Sequence, residues 1–422
     1  MTDPDPEYGP VPEAERDAYH RIRDYAFDPE EGRRSYEAFP KEFGARRGVF
    51  VGGDLRAVCS TRTFPTAVRG RELRMGGVAG VAAAPEHRRK GHVRRLLAGI
   101  LDEYRADGVH LCGLYPFSYE FFGRQGWALA ERVRHYACPP SALGFADEDR
   151  EERPGEFVDA DPDDHEALNA AYERAVDGYS LATTRSEAWW REWVFERRRD
   201  TPYVYAWRRD GDVRGYVSYT VSESPSAPGE EWTPATDVTQ KTRRLDTHEF
   251  VAADPEARRH LLRFLYHYAP QVERVSLSTP EPIGLLERAR DPRAIEATVA
   301  PGAMVRIVDV PAAIEALPFP AAAGEVTLSV SDPLVAANDA TFAVRFGNGD
   351  GTGDATCERV DVGSGTGVDA RLDVGTLSQL AVGFLDPGTA EQHGDLAIER
   401  DGARSLLADA FPSTGTYLPE KF

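Results

Sequence analysis

Apolar positions recur along this chain with two different periods, and the switches between them mark its elements. Residues 13–28 put Tyr19, Ile22, Tyr25, Ala26 and Phe27 on one side of a predicted helix. Alternating runs around Gly52-Gly53-Asp54 predict a hairpin, because a G-G-D turn between two such runs is a good local signal. A short apolar strand through Val78 then turns at Pro85 into a helix whose Val93, Leu96, Leu97, Ile100, Leu101 and Tyr104 share a face. A strand over 109–116, an aromatic segment over 117–127 and a strand over 132–137 follow.

Cys138-Pro139-Pro140 and the polar run after it predict a domain boundary. Beyond it the order repeats. A capped helix start at Asp161 leads to a helix carrying Trp189, Trp190 and Trp193, then to a hairpin, a strand, a proline turn and a basic helix with Leu261, Phe264, Leu265 and Tyr268 on its apolar face. From Ala303 the pattern changes to a strand and short helix, alternating strands over 326–330, 342–346 and 368–372, and a helix over 376–384. Three domains are expected, over residues 1–145, 150–298 and 300–422.

The chemistry concentrates in the first of them. Arg88, Arg89, Lys90 and Gly91 form a cationic turn between a strand and a helix N-terminus, where unpaired N–H groups and the helix dipole favour a polyphosphate and a glycine lets the backbone come close. The turn lacks G-K-[ST] and G-x-G-x-x-G, which excludes a P-loop and a dinucleotide fingerprint. A basic surface loop capping an amphipathic helix is the structural alternative.

This turn, preceded by V-x-V-like alternation, resembles the [RQ]-x-x-G-x-[GA] pyrophosphate loop of GNAT acetyltransferases, departing from it at Val93. The Y-P-F-S and F-F-G-R-Q-G-W runs of 115–127 resemble one branch, the enhanced intracellular survival (Eis) type. The resemblance implies an α/β (α+β) chain of two tandem GNAT-like domains and a C-terminal sterol carrier protein-like domain, assembled as a hexamer. It also implies an acetyl-CoA-dependent N-acetyltransferase acting on an aminoglycoside-like, polyamine or lysine amine. Val81, Ala82 and Ala83 would hold the pantetheine arm; Arg88, Arg89, Lys90, Gly91, His92, Val93 and Arg94 would wrap the pyrophosphate; Phe117 and Ser118 would flank the coenzyme. The free carboxylate of Phe422 would be the catalytic base. The family's general-acid tyrosine falls on Phe122, which has no proton to give, so Tyr119, Tyr115 or solvent must protonate the thiolate. In the second domain Pro255-Glu256-Ala257-Arg258-Arg259 has no glycine matching Gly91, so a second coenzyme site is not expected.

A net charge of −20 with only four lysines argues against general nucleic-acid binding and fits a halophile's cytoplasmic protein, an ordinary acidic protein being the alternative. No apolar run approaches the ~20 residues of a membrane helix, and the acidic N-terminus lacks a secretion signal. Cys59, Cys112, Cys138 and Cys357 are scattered, without ligand spacing, and no metal is expected; a Gly/Asp-rich turn at 347–354 lacks the glutamate of a calcium loop. The alternative function is a coenzyme A- or lipid-binding protein with impaired catalysis, motivated by Phe122 and the carrier-like third domain.

Overall fold

The computed structural model describes residues 4–31, 44–148, 155–196, 201–223, 243–347, 353–361 and 367–420. It packs as two compact units, the first from Met1–Glu131, Gly178–Thr183 and Gly302–Phe422, the second from Arg132–Asp177 and Thr184–Pro301.

The first unit opens with β1 (Glu7–Pro10), α1 (Arg16–Phe27), β2 (Ala45–Val51), β3 (Asp54–Val68), β4 (Arg71–Ala83), α2 (His92–Ala106), β5 (Leu111–Leu114), α3 (Tyr119–Gly123) and β6 (Ala128–Leu129). Its sheet has the order β1-β2-β3-β4-β5, then a strand over Met304–Ile307, then β6. The Gly52-Gly53 hairpin joins β2 to β3, and α1 and α2 fall where periodicity predicts them. The α1 face buries Tyr19 and Ile22 with Val58, Ala82 and Ala84, while Tyr25, Ala26 and Phe27 are exposed, so only two of the five apolar residues on that side are core.

Two expectations need correction. The strand over 132–137, expected to close the first domain, is Arg132–Cys138 and pairs with Arg274–Thr279 and Glu296–Pro301 in the second unit's seven-stranded sheet. Met304–Ile307, expected to open the third domain, instead pairs antiparallel with β5 and β6 in the first. Its alternation explains the fit: Val305 and Ile307 enter the core shared with the carrier-like module, and Met304 faces the core of α2. Arg306 is buried against Trp127, 5.1 Å from the ring, and hydrogen bonds to Asp332 and to the Gln125 carbonyl. Asp332 in turn accepts from the N–H groups of Leu334 at 2.8 Å and Val335 at 3.0 Å. Either strand offers an apolar alternation, so local pattern cannot choose the sheet; the depth of this ion pair favours the observed one.

The remainder of the first unit is a five-stranded sheet, Ala355–Arg359, Ala340–Phe346, Gly324–Ser331, Ala370–Asp373 and Leu396–Ile398 in spatial order, backed by helices Val374–Val382, Pro387–His393 and Asp401–Ala410. Three of these strands and the first helix lie where the sequence places them, while Ala355–Arg359 and Leu396–Ile398 lie outside the expected elements. In the second unit Asp161 caps its helix as expected, and Tyr203–Arg209 and Asp212–Glu223 form the expected hairpin. All four cysteines are buried, and burial pushes the Cys112 thiol up to about 12. No helix among the described residues is long and apolar enough to cross a membrane.

Removing the Asp332 carboxylate would strand the buried Arg306 charge. Asp332→Ala is therefore expected to destabilise the first unit by ~3–5 kcal/mol, read by chemical denaturation.

Candidate active site

The site begins with a failure of pairing. β4 and β5 run parallel only from Met75–Leu111 to Val78–Leu114, after which β5 ends and β4 continues to Ala83. Against β3, Ala79 pairs with Ser60 and Ala82 with Val58, so Gly80 and Val81 face the single residue Cys59. This is a bulge, and Gly80 takes the left-handed φ of +61° that it requires. Beyond Val78 the edge of β4 turned from β3 thus has no partner strand among the described residues, and Val81, Ala82 and Ala83 lie along it. An extended pantetheine arm can pair with such an edge as an added strand would.

The loop after β4 leads to α2. Gly91 has a φ of +82° at the N-cap of α2, no side chain caps the helix there, and a Cβ on Gly91 would meet nothing within 4 Å. The helix N-terminus is therefore open toward the solvent, with Arg88, Arg89, Lys90 and Gly91 exposed and His92 and Val93 partly buried beside it. Arg88 lies 5.5 Å from the Tyr25 ring, and Arg89 is held at a φ of +60°. Arg94 is not aimed at this loop: it donates to Gln125 Oε1 at 2.9 Å and to the Pro333 carbonyl. The six residues from Arg88 to Val93 are thus together at the turn, while Arg94 braces α2.

The second unit shows what an occupied helix start looks like. Asp254 Oδ1 accepts the N–H groups of Glu256 and Ala257 at 2.9 Å each, and Glu256 pairs with Arg209 and Arg214. A carboxylate there occupies the place of an anionic ligand. The sequence signal was Asp254 immediately before Pro255, a stronger sign than the missing glycine.

Ser118 caps α3, its Oγ accepting the Phe121 N–H at 3.2 Å, and Phe117 is 61 % exposed. Phe122 is core, packed edge-on against Phe117, Phe121 and Trp127. The Tyr119 hydroxyl donates to the Gly302 carbonyl at 2.8 Å, and burial, then Glu131, pushes it above the usual phenol range. Tyr115, one residue past the end of β5, holds its hydroxyl 2.5 Å from the Leu418 carbonyl and 3.2 Å from Glu131 Oε2.

Through Leu418 the chain's last stretch reaches the open end of the sheet. Ser180 and Tyr417 bond to each other's neighbourhood, Tyr417 N–H donating to the Ser180 carbonyl at 2.8 Å, and Glu131 Oε1 accepts the Leu418 N–H at 3.1 Å. Leu418 and Glu420 are buried. Phe422 lies outside the described residues, as does most of the Gly/Asp-rich turn at 348–352. Glu131 escaped the sequence reading because a lone glutamate between two strands carries no spacing signal.

Residues 7–130 match the acetyltransferase (GNAT) domain family, residues 181–307 a second GNAT family, and residues 310–419 the sterol carrier protein domain. An uncharacterized N-acetyltransferase of Streptomyces avermitilis is 27 % identical over 395 residues, covering 89 % of this chain and 88 % of its own. One of Streptomyces griseus is 28 % identical over 402 residues, with 87 % and 86 % covered. Two crystal structures share the fold: a probable N-acyltransferase of Enterococcus faecalis (TM-score 0.79, 18 % identity, 98 % of each chain) and Eis1 of Mycobacterium abscessus (TM-score 0.72, 23 % identity, 99 % and 100 %). The protein is an acyltransferase of the GNAT class, and its co-substrate is acetyl-CoA. Two GNAT domains followed by a sterol carrier protein domain are the domain order that the Eis-type resemblance implies.

Phe122→Tyr would restore the hydroxyl of the family's acid but put it in an aromatic core. It is expected to lower stability by ~1–3 kcal/mol in thermal or urea unfolding.

Proposed function

We propose that the first GNAT domain transfers acetyl from acetyl-CoA directly to a primary amine, of polyamine, aminoglycoside-like or lysine type, held beside the end of β4. The observation that carries this reading is the unpartnered edge of β4 beyond Val78, leading into the uncapped cationic turn at Gly91. Val81, Ala82 and Ala83 pair with the pantetheine arm, and Arg88, Arg89, Lys90, Gly91, His92 and Val93 receive the pyrophosphate, with Phe117 and Ser118 at its flank. Arg94 serves by bracing α2 through Gln125.

Chemically, an ammonium with a pKa near ~10 must lose a proton before it attacks the thioester. The Phe422 carboxylate is assigned as that base. Its support is the docked tail: Leu418 is fixed at Tyr115, and four further residues span up to ~14 Å. A backbone N–H beside the Gly80–Val81 bulge steadies the oxyanion that develops on the thioester carbonyl. Tyr119 is assigned as the acid, exchanging the Gly302 carbonyl for the departing sulfur. Since its hydroxyl is raised above the phenol range while a thiol titrates near ~8.5, this proton transfer runs uphill and helps only modestly.

By residue type, the acidic Asp28, Glu30, Glu31 and Glu420 suit a cationic acceptor. The assembly is assigned as a cytoplasmic homo-hexamer adapted to high salt, by the resemblance and the charge of −20. An impaired binding protein is the weaker reading, because Phe122 removes an acid that the leaving thiolate needs little.

Three measurements test the scheme. In an assay of thiol release with a panel of polyamines and aminoglycosides, appending one residue after Phe422 is expected to cut kcat by ~10²-fold or more with KM for acetyl-CoA unchanged. Arg88→Glu with Arg89→Glu is expected to raise that KM about tenfold or more, an effect that shrinks as salt rises. Tyr119→Phe should lower kcat by no more than about tenfold. Turnover unaffected by the added residue would remove the carboxylate base.

A further inference from the structure

Glu131 is the last residue of the first unit before the chain departs into the second, and it is 1 % exposed. A carboxylate at that depth must be satisfied by donors, and the structure supplies them from three separate parts of the chain. Oε1 accepts the Leu418 N–H at 3.1 Å and Oε2 accepts the Ala303 N–H at 3.2 Å, while the Tyr115 hydroxyl, also 3.2 Å from Oε2, shares its one proton between that oxygen and the nearer Leu418 carbonyl. The space is made by Gly302: a Cβ there would stand 2.3 Å from Glu131 Oε2. Tyr115 completes a ring by donating to the carbonyl of Leu418, so that both backbone groups of that one residue are held.

We propose that Glu131 is a positioning residue for acetyl transfer, latching the C-terminal segment through Leu418 at the open end of β5. The inference rests on the terminal-carboxylate reading for its catalytic consequence, but the latch itself does not. The carboxylate forms no bond to substrate in this scheme; it acts by fixing where the last residues begin. The segment on the near side is held independently, Ser180 N–H donating to the Gly415 carbonyl and the Tyr417 N–H to the Ser180 carbonyl, both at 2.8 Å. Loss of Glu131 would therefore release the Leu418 N–H and loosen the tail at that residue while leaving its path up to Tyr417 intact.

The test uses the full-length protein. Backbone amide exchange is followed by mass spectrometry on peptides spanning residues 416–420, and initial rates are measured with acetyl-CoA and spermidine. Glu131→Gln is expected to speed exchange of the Leu418 amide by about tenfold or more, since a hydrogen bond to a charged group is being weakened, while α2 exchanges at its original rate. It should lower kcat about tenfold with KM for acetyl-CoA within about twofold, a split that general destabilisation would not give. Tyr115→Phe, which keeps the ring, should act in the same direction and decides the matter if Glu131→Gln does not fold. Exchange at Leu418 unchanged in the folded variants overturns the latch and leaves the base assignment standing. Faster exchange with an undiminished kcat keeps the latch but overturns the positioning role in acetyl transfer, and the appended-residue variant then decides the base assignment by itself.

Discussion

The first unit is organised by the point at which β4 and β5 stop pairing. Two parallel strands that separate must leave backbone N–H and C=O groups without a ladder, and such groups are costly unless something else satisfies them. Here β4 lengthens by one residue through the Gly80 bulge and runs on along β3, while β5 ends at Leu114. The gap is therefore built into the sheet by a glycine that can hold a φ of +61°. A ligand with amides of its own, such as the pantetheine arm of acetyl-CoA, is the natural occupant of an open edge of this kind.

The groups around that gap fall into place from it. The turn after β4 delivers exposed cations to the uncapped start of α2, and the residue after β5 is the tyrosine that meets the Leu418 carbonyl. The same architecture in the second unit has been closed by chemistry rather than by shape: Asp254 fills its own helix N-terminus, and Glu256 ties up the neighbouring arginines. One fold thus carries an uncapped, cation-lined helix start in one unit and an internally neutralised one in the other, the difference resting on a few side chains.

Long-range exchange of strands gives the buried polar groups their meaning. Met304–Ile307 returns to the first sheet, and with it comes Arg306, which would be an expensive burial without Asp332 and the aromatic face of Trp127. Gly302 and Ala303, at the same re-entry, make room for Glu131 and donate to it. The chain's departure from the first unit, its return and its terminal segment are consequently tied at one carboxylate.

Much of this was legible in the sequence, because periodicity and turn chemistry are local: α1, α2, the Gly52-Gly53 hairpin, three strands and the first helix of the carrier-like module, and the cationic turn all lie where residue spacing puts them. Residue type alone also showed that Phe122 has no proton to give. What it could not settle was which sheet receives Arg132–Cys138 and Met304–Ile307, for an apolar alternation fits any sheet that offers a free edge and a core. Nor could it reveal that Arg94 turns away to Gln125, or that Glu131 gathers Tyr115, Ala303 and Leu418. Those are contacts between residues far apart in the chain, whose energy depends on burial, and burial exists only once the tertiary structure has formed.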